Sequence, residues 1–339
     1  MYLHYYEQLN KEQQKAYYAI KEGLLNLQDS FAVPMLSQKE LSDIYFLIRM
    51  DSPEIFYSVT FSYKYYANST AVEMVPQYLF SKDKIREHRQ AMESRVKKLA
   101  RQAASLDEKG KELFVHDFIV ENVKYDKLKK PYSHEIIGAL GNGVAVCEGI
   151  AKAVKILCDE LNIWCIIALS EANPEKGIKY RHAWNVIRIN GQYYHLDVTF
   201  DNTLSRDGTV RYDYVNLSDK QIFRDHEAVI WKIPACSDND HFYYKEKKIS
   251  WTTMEEVRNR TKQAVKKGKV LLFHWRGGYL TKEILTQLME IFDEEAGAKE
   301  KTAYVSVNWP QAVLRVRFED GIGEEQLEME EANEGEKMS

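Results

Sequence analysis

The sequence has few cysteines, and none of them is arranged for metal binding. The four are Cys147, Cys158, Cys165 and Cys236. They form no CxxC pair and have no histidine at ligand spacing, so a structural zinc site is not expected. Disulfide scaffolds are typical of small secreted domains, so a chain of 339 residues with four cysteines favours reduced thiols. The sequence therefore predicts no metal and no other cofactor.

A basic field, a long apolar run and a leader-like start are also lacking. The formal net charge is −4, which disfavours a nucleic-acid partner, because such partners need a concentrated positive field. No apolar run approaches the roughly 20 residues of a membrane span. The first residues, MYLHYYEQLNKEQQ, have neither the basic nor the apolar region of a signal peptide. We expect a cytoplasmic protein, and an extracellular location stays open if further residues precede this sequence.

The chain divides into four segments of different character. Residues 1–130 are predicted to be a mostly helical N-terminal region, and residues 131–248 contain a glycine-rich stretch followed by a helix and strands. Residues 249–318 are predicted to form a small α/β domain. Residues 319–339 hold nine acids and one base, with too little apolar surface to fold, and are predicted to be a disordered acidic tail.

Hydrophobic periodicity gives the expected elements within these segments. Helices are expected at 11–28, 38–49, 82–104, 107–124, 252–266 and 281–295. Strands are expected at 54–67, as a strand or hairpin, and at 268–274, 302–307 and 312–318.

A further helix is predicted directly after the glycines of GNGVAVCEGIAKAVKILCDE, residues 141–160. Its apolar stripe consists of Ile150, Val154, Leu157, Cys158 and Leu161. Cys147 lies at or near the first turn, where the helix dipole and free backbone N–H groups favour the reactive thiolate. A second interpretation is that Cys147 merely begins the buried stripe, because free cysteines are often buried.

A β-hairpin is predicted for YRHAWNVIRINGQYYHLDVTFD, residues 180–201. Its Asn-Gly pair at 190–191 tolerates positive φ at both positions and favours a two-residue turn. This turn fixes the register and makes His182 and Asp197 diagonal neighbours on one face, roughly 7–8 Å apart. That face holds His182, Trp184, Val186, His195, Asp197 and Thr199. The opposite, core-like face holds Ala183, Ile187, Tyr194, Leu196 and Val198.

A buried aspartate needs a partner, and His182 is the nearest one. The pair either orders the hairpin or activates a nucleophile that faces the histidine. Cys147 is the best candidate for that nucleophile. Cys158 is expected on the packed stripe in mid-helix, and Cys165 in the apolar strand WCIIAL. His195 is predicted to be a core or supporting histidine.

Three short motifs occur in the order Cys, His, Asp. Residues 143–151, GVAVCEGIA, resemble the nucleophile segment of bacterial transglutaminase-like proteins. HAWN at 182–185 resembles the histidine strand of that family, and YHLDVTFD at 194–201 resembles its aspartate strand. The resemblance is specific over about 131–205 and weaker in the flanks.

The resemblance implies an α+β, papain-like core in which a helix bearing the cysteine packs on an antiparallel sheet. Cys147 is then the nucleophile, His182 the base and acid, and Asp197 the group that orients the imidazole. The backbone N–H of Cys147 supplies part of an oxyanion hole, and a second donor is sought among residues 132–134.

The departures from the family pattern are small. Tyr193 and Phe200 stand where tryptophan is common, and Ile150 stands where tyrosine is frequent. None of them removes a triad residue. Calcium dependence is not expected without an EF-hand-like loop, and the zinc-bearing glycanase relatives are disfavoured by the missing CxxC pairs.

The expected function is thiol-dependent acyl transfer or amide hydrolysis on a protein or peptide substrate. Water as the acceptor makes the protein a protease or amidase, and a lysine amine makes it a transglutaminase. A cell-wall-associated substrate is a further option. The alternative is a non-catalytic protein-binding or scaffolding module that retains the fold, which the large flanking regions favour.

Overall fold

The computed structural model describes residues 2–205, 208–320 and 330–331. The chain divides into two compact units. The first consists of Met1–Ser170, His182–Val210 and Val229–Pro234. The second consists of Glu171–Arg181, Arg211–Ala228 and Ala235–Ser339.

The first unit contains six described helices and eight described strands. The helices are α1 Lys11–Leu25, α2 Gln38–Asp51, α3 Lys82–Ala103, α4 Glu108–Asn122, α5 Cys147–Glu160 and α6 Val198–Leu204. The strands are β1 Phe31–Pro34, β2 Ser58–Tyr65, β3 Ala71–Tyr78, β4 Lys124–Tyr125, β5 Val144–Ala145, β6 Cys165–Leu169, β7 Ala183–Ile189 and β8 Gln192–Leu196. Short 3-10 helices cover Tyr6–Gln8 and Pro131–His134, and a π-helix covers Ile137–Asn142.

The N-terminal region combines helices with a small antiparallel sheet. Capping boxes start α1 at Asn10 and α2 at Ser37, which satisfies backbone N–H groups that have no partner inside the helix. The expected strand at 54–67 appears as β2, which pairs with β3 in a hairpin, and β3 pairs in turn with β1. The sequence did not predict β1 or β3.

The core of the first unit is α5 packed on antiparallel strands β6, β7 and β8. Every residue of β6 is buried, and the stripe predicted on α5 is at most 3% exposed. The Asn185 side chain in β7 donates to the carbonyl oxygen of Ala151 in α5 at 3.0 Å. This bond fixes the helix on the sheet, and the predicted α+β class with its cysteine helix on an antiparallel sheet is confirmed.

The predicted hairpin has the expected register but a shorter second strand. Asn190 and Gly191 have φ values of 50° and 85°, and Ile189 pairs with Gln192, so the turn prediction is confirmed. The expectation that the strand continues through Asp201 is wrong, because β8 ends at Leu196 and α6 follows. The side chain of residue 197 caps this helix, which outweighs the β-rich composition of the segment.

The second unit contains the C-terminal α/β fold. Its helices are α7 Asp219–Ile222, α8 Tyr243–Glu246, α9 Met254–Lys267 and α10 Lys282–Gly297, with a 3-10 helix at Pro174–Lys176. Its strands are β9 Val215–Leu217, β10 Ser250–Trp251, β11 Leu271–Trp275, β12 Lys301–Asn308, β13 Val313–Asp320 and β14 Glu330–Glu331. The sheet order is β10-β11-β13-β12-β14, and residues of α9 and α10 complete its hydrophobic core. The predicted small α/β domain is therefore confirmed in its class.

The two units divide the chain differently from the segments expected from sequence. The helical region expected at 1–130 and the core that follows it share one unit, because α3 and α4 pack on α5. The expected acidic tail lies largely outside the described residues, which include its first two residues in β13 and the two of β14. Among the helices that the structure describes, none combines the length and the apolar character needed to cross a bilayer.

Candidate active site

Cys147 is the first residue of α5, and its thiol is half-buried. The preceding strand is tied down, since the Val146 N–H donates to the carbonyl oxygen of Ser133 at 3.0 Å. The side chain of Val146 makes no capping bond to the helix. The first-turn N–H groups of α5 therefore lie beside the Cys147 thiol without a side-chain cap at residue 146.

His182 precedes β7 and lies between two aromatic rings. Its imidazole stacks on Trp184 at 5.8 Å between ring centroids and meets the edge of Phe200 at 5.1 Å. The indole N–H of Trp184 donates to Nδ1 of buried His195 at 3.0 Å, which fixes the indole. His195 is thus a core histidine that supports the ring beside His182, as predicted.

Asp197 is fully buried, and both of its carboxylate oxygens take part in hydrogen bonds. Its Oδ2 atom lies 2.6 Å from Nε2 of His182. Its Oδ1 atom accepts from the N–H groups of Thr199 and Phe200 at 2.8 and 3.1 Å. The carboxylate therefore caps α6 and orients the imidazole, which also has a hydrogen bond to Cys147.

The charges around His182 favour its protonated form. Burial opposes the imidazolium, but the charge and hydrogen bond of Asp197, followed by the hydrogen bond and charge of Cys147, raise the pKa of His182 from 6.5 to about 10. Cys147 and Asp197 therefore both contribute to the charge state of the same imidazole.

The other two core cysteines are not placed to meet this imidazole. Cys158 and Cys165 are both buried, and a hydrogen bond to Cys165 together with burial raises the pKa of the Cys158 thiol. They lie on the packed face of α5 and in β6, as expected.

The sequence around these residues matches one family model. Residues 97–198 match the model described as the transglutaminase-like superfamily. This chain contains a transglutaminase-like domain. The matched segment covers α5, the hairpin and Asp197, together with the helix that precedes them.

Solved structures match the chain only at low similarity. A crystal structure of a TGase is 12% identical over 50% of each chain, with a TM-score of 0.27. A candidate cysteine protease from Cytophaga hutchinsonii is 17% identical over 42% of this chain and 62% of that one, with a TM-score of 0.28. The chain thus spans about half the length of the TGase that it matches. No curated protein matches the sequence.

A buried network of charges surrounds the first turn of α5 in the transglutaminase-like domain. Glu148, the residue after the thiol, lies 2.7 Å from Lys152, 3.1 Å from Nδ1 of His134 and 3.3 Å from Arg49. Glu135 lies 2.9 Å from Lys152 and also contacts Arg49. Although burial opposes ionisation, Lys152, His134 and Arg49 hold the pKa of Glu148 well below its usual range.

This network links the start of α5 to α2 and to the segment before β5. Two of residues 132–134, among which a second oxyanion donor is sought, have partners near this network. His134 is engaged with Glu148, and Ser133 donates its hydroxyl to Asp126 at 2.5 Å. Both side chains therefore hold the backbone in place.

Tyr125 is the site residue that sequence reasoning missed. It lies in β4, opposite Ala145 in the parallel pairing with β5, two residues before the thiol. Burial, and then the negative charges of Cys147 and Asp197, raise the pKa of Tyr125. Its phenol is therefore protonated and lies within electrostatic range of Cys147. A parallel pairing of two-residue strands leaves little signal in the sequence.

Proposed function

We propose that the protein is a cysteine-dependent acyl-transfer enzyme that acts on an amide of a protein or peptide. The supporting observation is the His182 imidazole, which lies 2.6 Å from Asp197 and has a hydrogen bond to Cys147. In the proposed mechanism Cys147 is the nucleophile, His182 the acid and base, and Asp197 the positioning group.

The reaction starts from a protonated histidine. The thiolate of Cys147 attacks the amide carbonyl carbon, and the carbonyl oxygen takes up the negative charge. Nδ1 of His182 then gives its proton to the departing amine as the C–N bond breaks, which leaves a thioester on Cys147. Because Nε2 is held 2.6 Å from Asp197, the ring keeps its orientation through both protonation states.

Two donors are proposed for the oxyanion. The backbone N–H of Cys147 begins α5, where the helix dipole favours negative charge. The Tyr125 phenol is proposed as the second, because its backbone pairs opposite Ala145 and the charge of Cys147 raises its pKa. Loss of one oxyanion donor typically lowers kcat by about 100- to 1000-fold, so Tyr125→Phe should reduce turnover without abolishing formation of the thioester.

The second half of the reaction regenerates the thiol. A nucleophile gives a proton to His182 and attacks the thioester, and the sulfur leaves as thiolate. Water as the nucleophile releases a carboxylic acid, and a primary amine releases a new amide. Peptidase, amidase and transglutaminase activities therefore share this site.

The test is incubation of the protein with a peptide library and a labelled primary amine, followed by mass spectrometry. Cleaved peptides indicate hydrolysis, and amine adducts indicate transamidation. Cys147→Ala should abolish both, whereas Cys236→Ala, a change at a buried cysteine of the second unit, should abolish neither. Profiles that are identical for wild type and Cys147→Ala would instead favour the non-catalytic binding module.

A further inference from the structure

A set of half-buried apolar side chains adjoins the proposed nucleophile. These side chains, which we call the apolar patch, are Leu9, Phe46, Ile230 and Trp231. Cys147 is half-buried against the same cluster of buried residues as the patch. The cluster consists of Tyr5, Leu47, Met50, Ala151, Ile167, Leu169 and Ala183.

The chain brings Trp231 to the end of the sheet that carries the histidine. Val229 forms an antiparallel bridge with Ser170, and the N–H of Ile230 donates to the carbonyl oxygen of Leu169 at 2.8 Å. The Ser170 N–H in turn donates to the carbonyl oxygen of His182 at 2.9 Å. Residues 229–230 thus extend the sheet beside the end of β6. His182, the residue before β7, lies at the same end of the sheet.

The aromatic rings of the patch are held in place before any ligand binds. Trp231 stacks on Phe46 at 5.7 Å and meets the edge of buried Tyr5 at 5.8 Å. The carbonyl oxygen of Lys232 lies 2.8 Å from Nε2 of His4 and accepts from Gln8 at 2.9 Å. Half-exposed aromatic rings fixed in this way offer a ready surface for an apolar group.

We propose that the apolar patch binds a bulky apolar side chain of the acyl donor, on the assumption that Cys147 is the nucleophile as proposed above. The patch and the thiol pack on one set of side chains, so we expect a group bound on the patch to lie near the bond attacked. The side chains on which the patch packs are apolar or aromatic, so an apolar group bound there removes further apolar surface from water. The substrate class is therefore a peptide with an aromatic or large aliphatic residue close to the scissile amide.

The probes are two N-acylated amino-acid chloromethyl ketones that differ in one side chain, benzyl in one and methyl in the other. Each alkylates a thiolate, because a bond forms from sulfur to the methylene carbon while chloride leaves. Iodoacetamide, which carries no side chain, reports the reactivity of Cys147 itself. Peptide mapping by mass spectrometry follows the Cys147 adduct, and each rate is divided by the iodoacetamide rate of the same protein.

Wild type should prefer the benzyl probe by about tenfold or more, because even one methylene group in a hydrophobic pocket is worth about 10- to 200-fold in discrimination. Trp231→Ala and Phe46→Ala should each reduce this ratio to about threefold or less. Tyr65→Ala, a truncation of an aromatic side chain that is 49% exposed in β2, should keep the wild-type ratio.

The ratio of the benzyl and methyl probe rates on the wild-type protein tests the proposal even if a variant fails to fold. Equal rates for the two probes, with Cys147 still labelled by iodoacetamide, would overturn the patch and leave the proposed nucleophile intact. If Cys147 resists iodoacetamide, the proposed function fails and the subsite fails with it. A rate that falls as protein concentration rises, without a benzyl preference, would assign the patch to contact between copies and would also refute the subsite.

Discussion

Replacing Asp197 with asparagine separates the two tasks of this side chain. The retained Oδ1 atom still accepts the N–H groups of Thr199 and Phe200, so the cap of α6 is kept. The NH2 group that replaces Oδ2 is a donor, and it no longer attracts the protonated Nε2 of His182 across 2.6 Å. Burial then acts with less opposition, and the pKa of His182 should fall from about 10 to below 6.5.

The free energy that the His182–Asp197 pair contributes to folding follows from the pKa of His182 and from the burial of the two side chains. The difference between 6.5 and about 10 corresponds to about 5 kcal/mol, at about 1.36 kcal/mol per pH unit. This value is an upper limit, because the His182 side chain is 19% exposed. We expect D197N to lose about 3 kcal/mol of unfolding free energy at neutral pH, at the low end for a broken buried pair.

The stability that the His182–Asp197 pair contributes should decrease as the pH rises. The folded-state pKa of His182 is raised above its unfolded value, so the contribution of the pair is complete below pH about 6.5 and is lost as the pH rises through about 10. The stability difference between wild type and D197N should therefore narrow in alkaline solution. Urea unfolding at neutral pH and near pH 10 measures this change.

The direct assay is a histidine NMR titration of protein labelled at the imidazole carbons, with His182→Gln used for assignment. A matched control is D201N, because Asp201 on the same helix lies 3.1 Å from buried His116. Burial opposes the charged form of His116, but its bonds to Asp117 and Asp201 raise its pKa to about 9. D201N should lower that pKa and leave His182 unchanged. A wild-type His182 that titrates near 6.5, or an unchanged pKa in D197N, would refute the reasoning.

Exposure, close packing and buried charge give three more expected outcomes. Iodoacetamide should label Cys147 at least about tenfold faster than the other cysteines, which are buried, and equal labelling in peptide maps would contradict this. Gly149→Ala places a Cβ 2.2 Å from the carbonyl oxygen of Ser133 and should cost about 1–3 kcal/mol in urea unfolding. The added Cβ of Gly297→Ala meets nothing within 4 Å, so this variant should unfold at the same urea concentration as wild type. Equal losses of stability in the two glycine variants would argue against close packing at Gly149. Arg49→Met leaves two buried carboxylates short of a cation and should cost about 3–5 kcal/mol, whereas an unchanged urea midpoint would show that Lys152 alone balances them.

The parts of the site that sequence could predict are local. The turn at 190–191 fixes the register of its hairpin through positive φ at two residues, so the approach of His182 and Asp197 could be predicted without any tertiary information. The helix that begins at Cys147 could also be predicted from sequence, because glycines precede a stripe of apolar residues with helical spacing. Both features depend on residues within a few positions of one another.

The strand that ended early shows where such reasoning fails. Val198, Thr199 and Phe200 have high β-propensity, yet they form the first turn of α6. The helix is held by contacts with α4, since the Asn202 side chain donates to the carbonyl oxygens of Val120 and Val123 at 3.1 and 2.8 Å. These contacts join residues about 80 positions apart, and tertiary packing overrides propensity there.

The same limit explains why the surroundings of the thiol were not foreseen. Arg49 and Phe46 both lie on α2, outside the segment 97–198 that matches the family model. Without Arg49, the carboxylates of Glu135 and Glu148 would share Lys152, and a buried carboxylate without enough cations takes up a proton. The first turn of α5 would then lose the ion pairs that join it to α2. The N-terminal helices therefore belong physically to the site, because one of them supplies both a charge that balances the residue after Cys147 and a ring of the apolar patch.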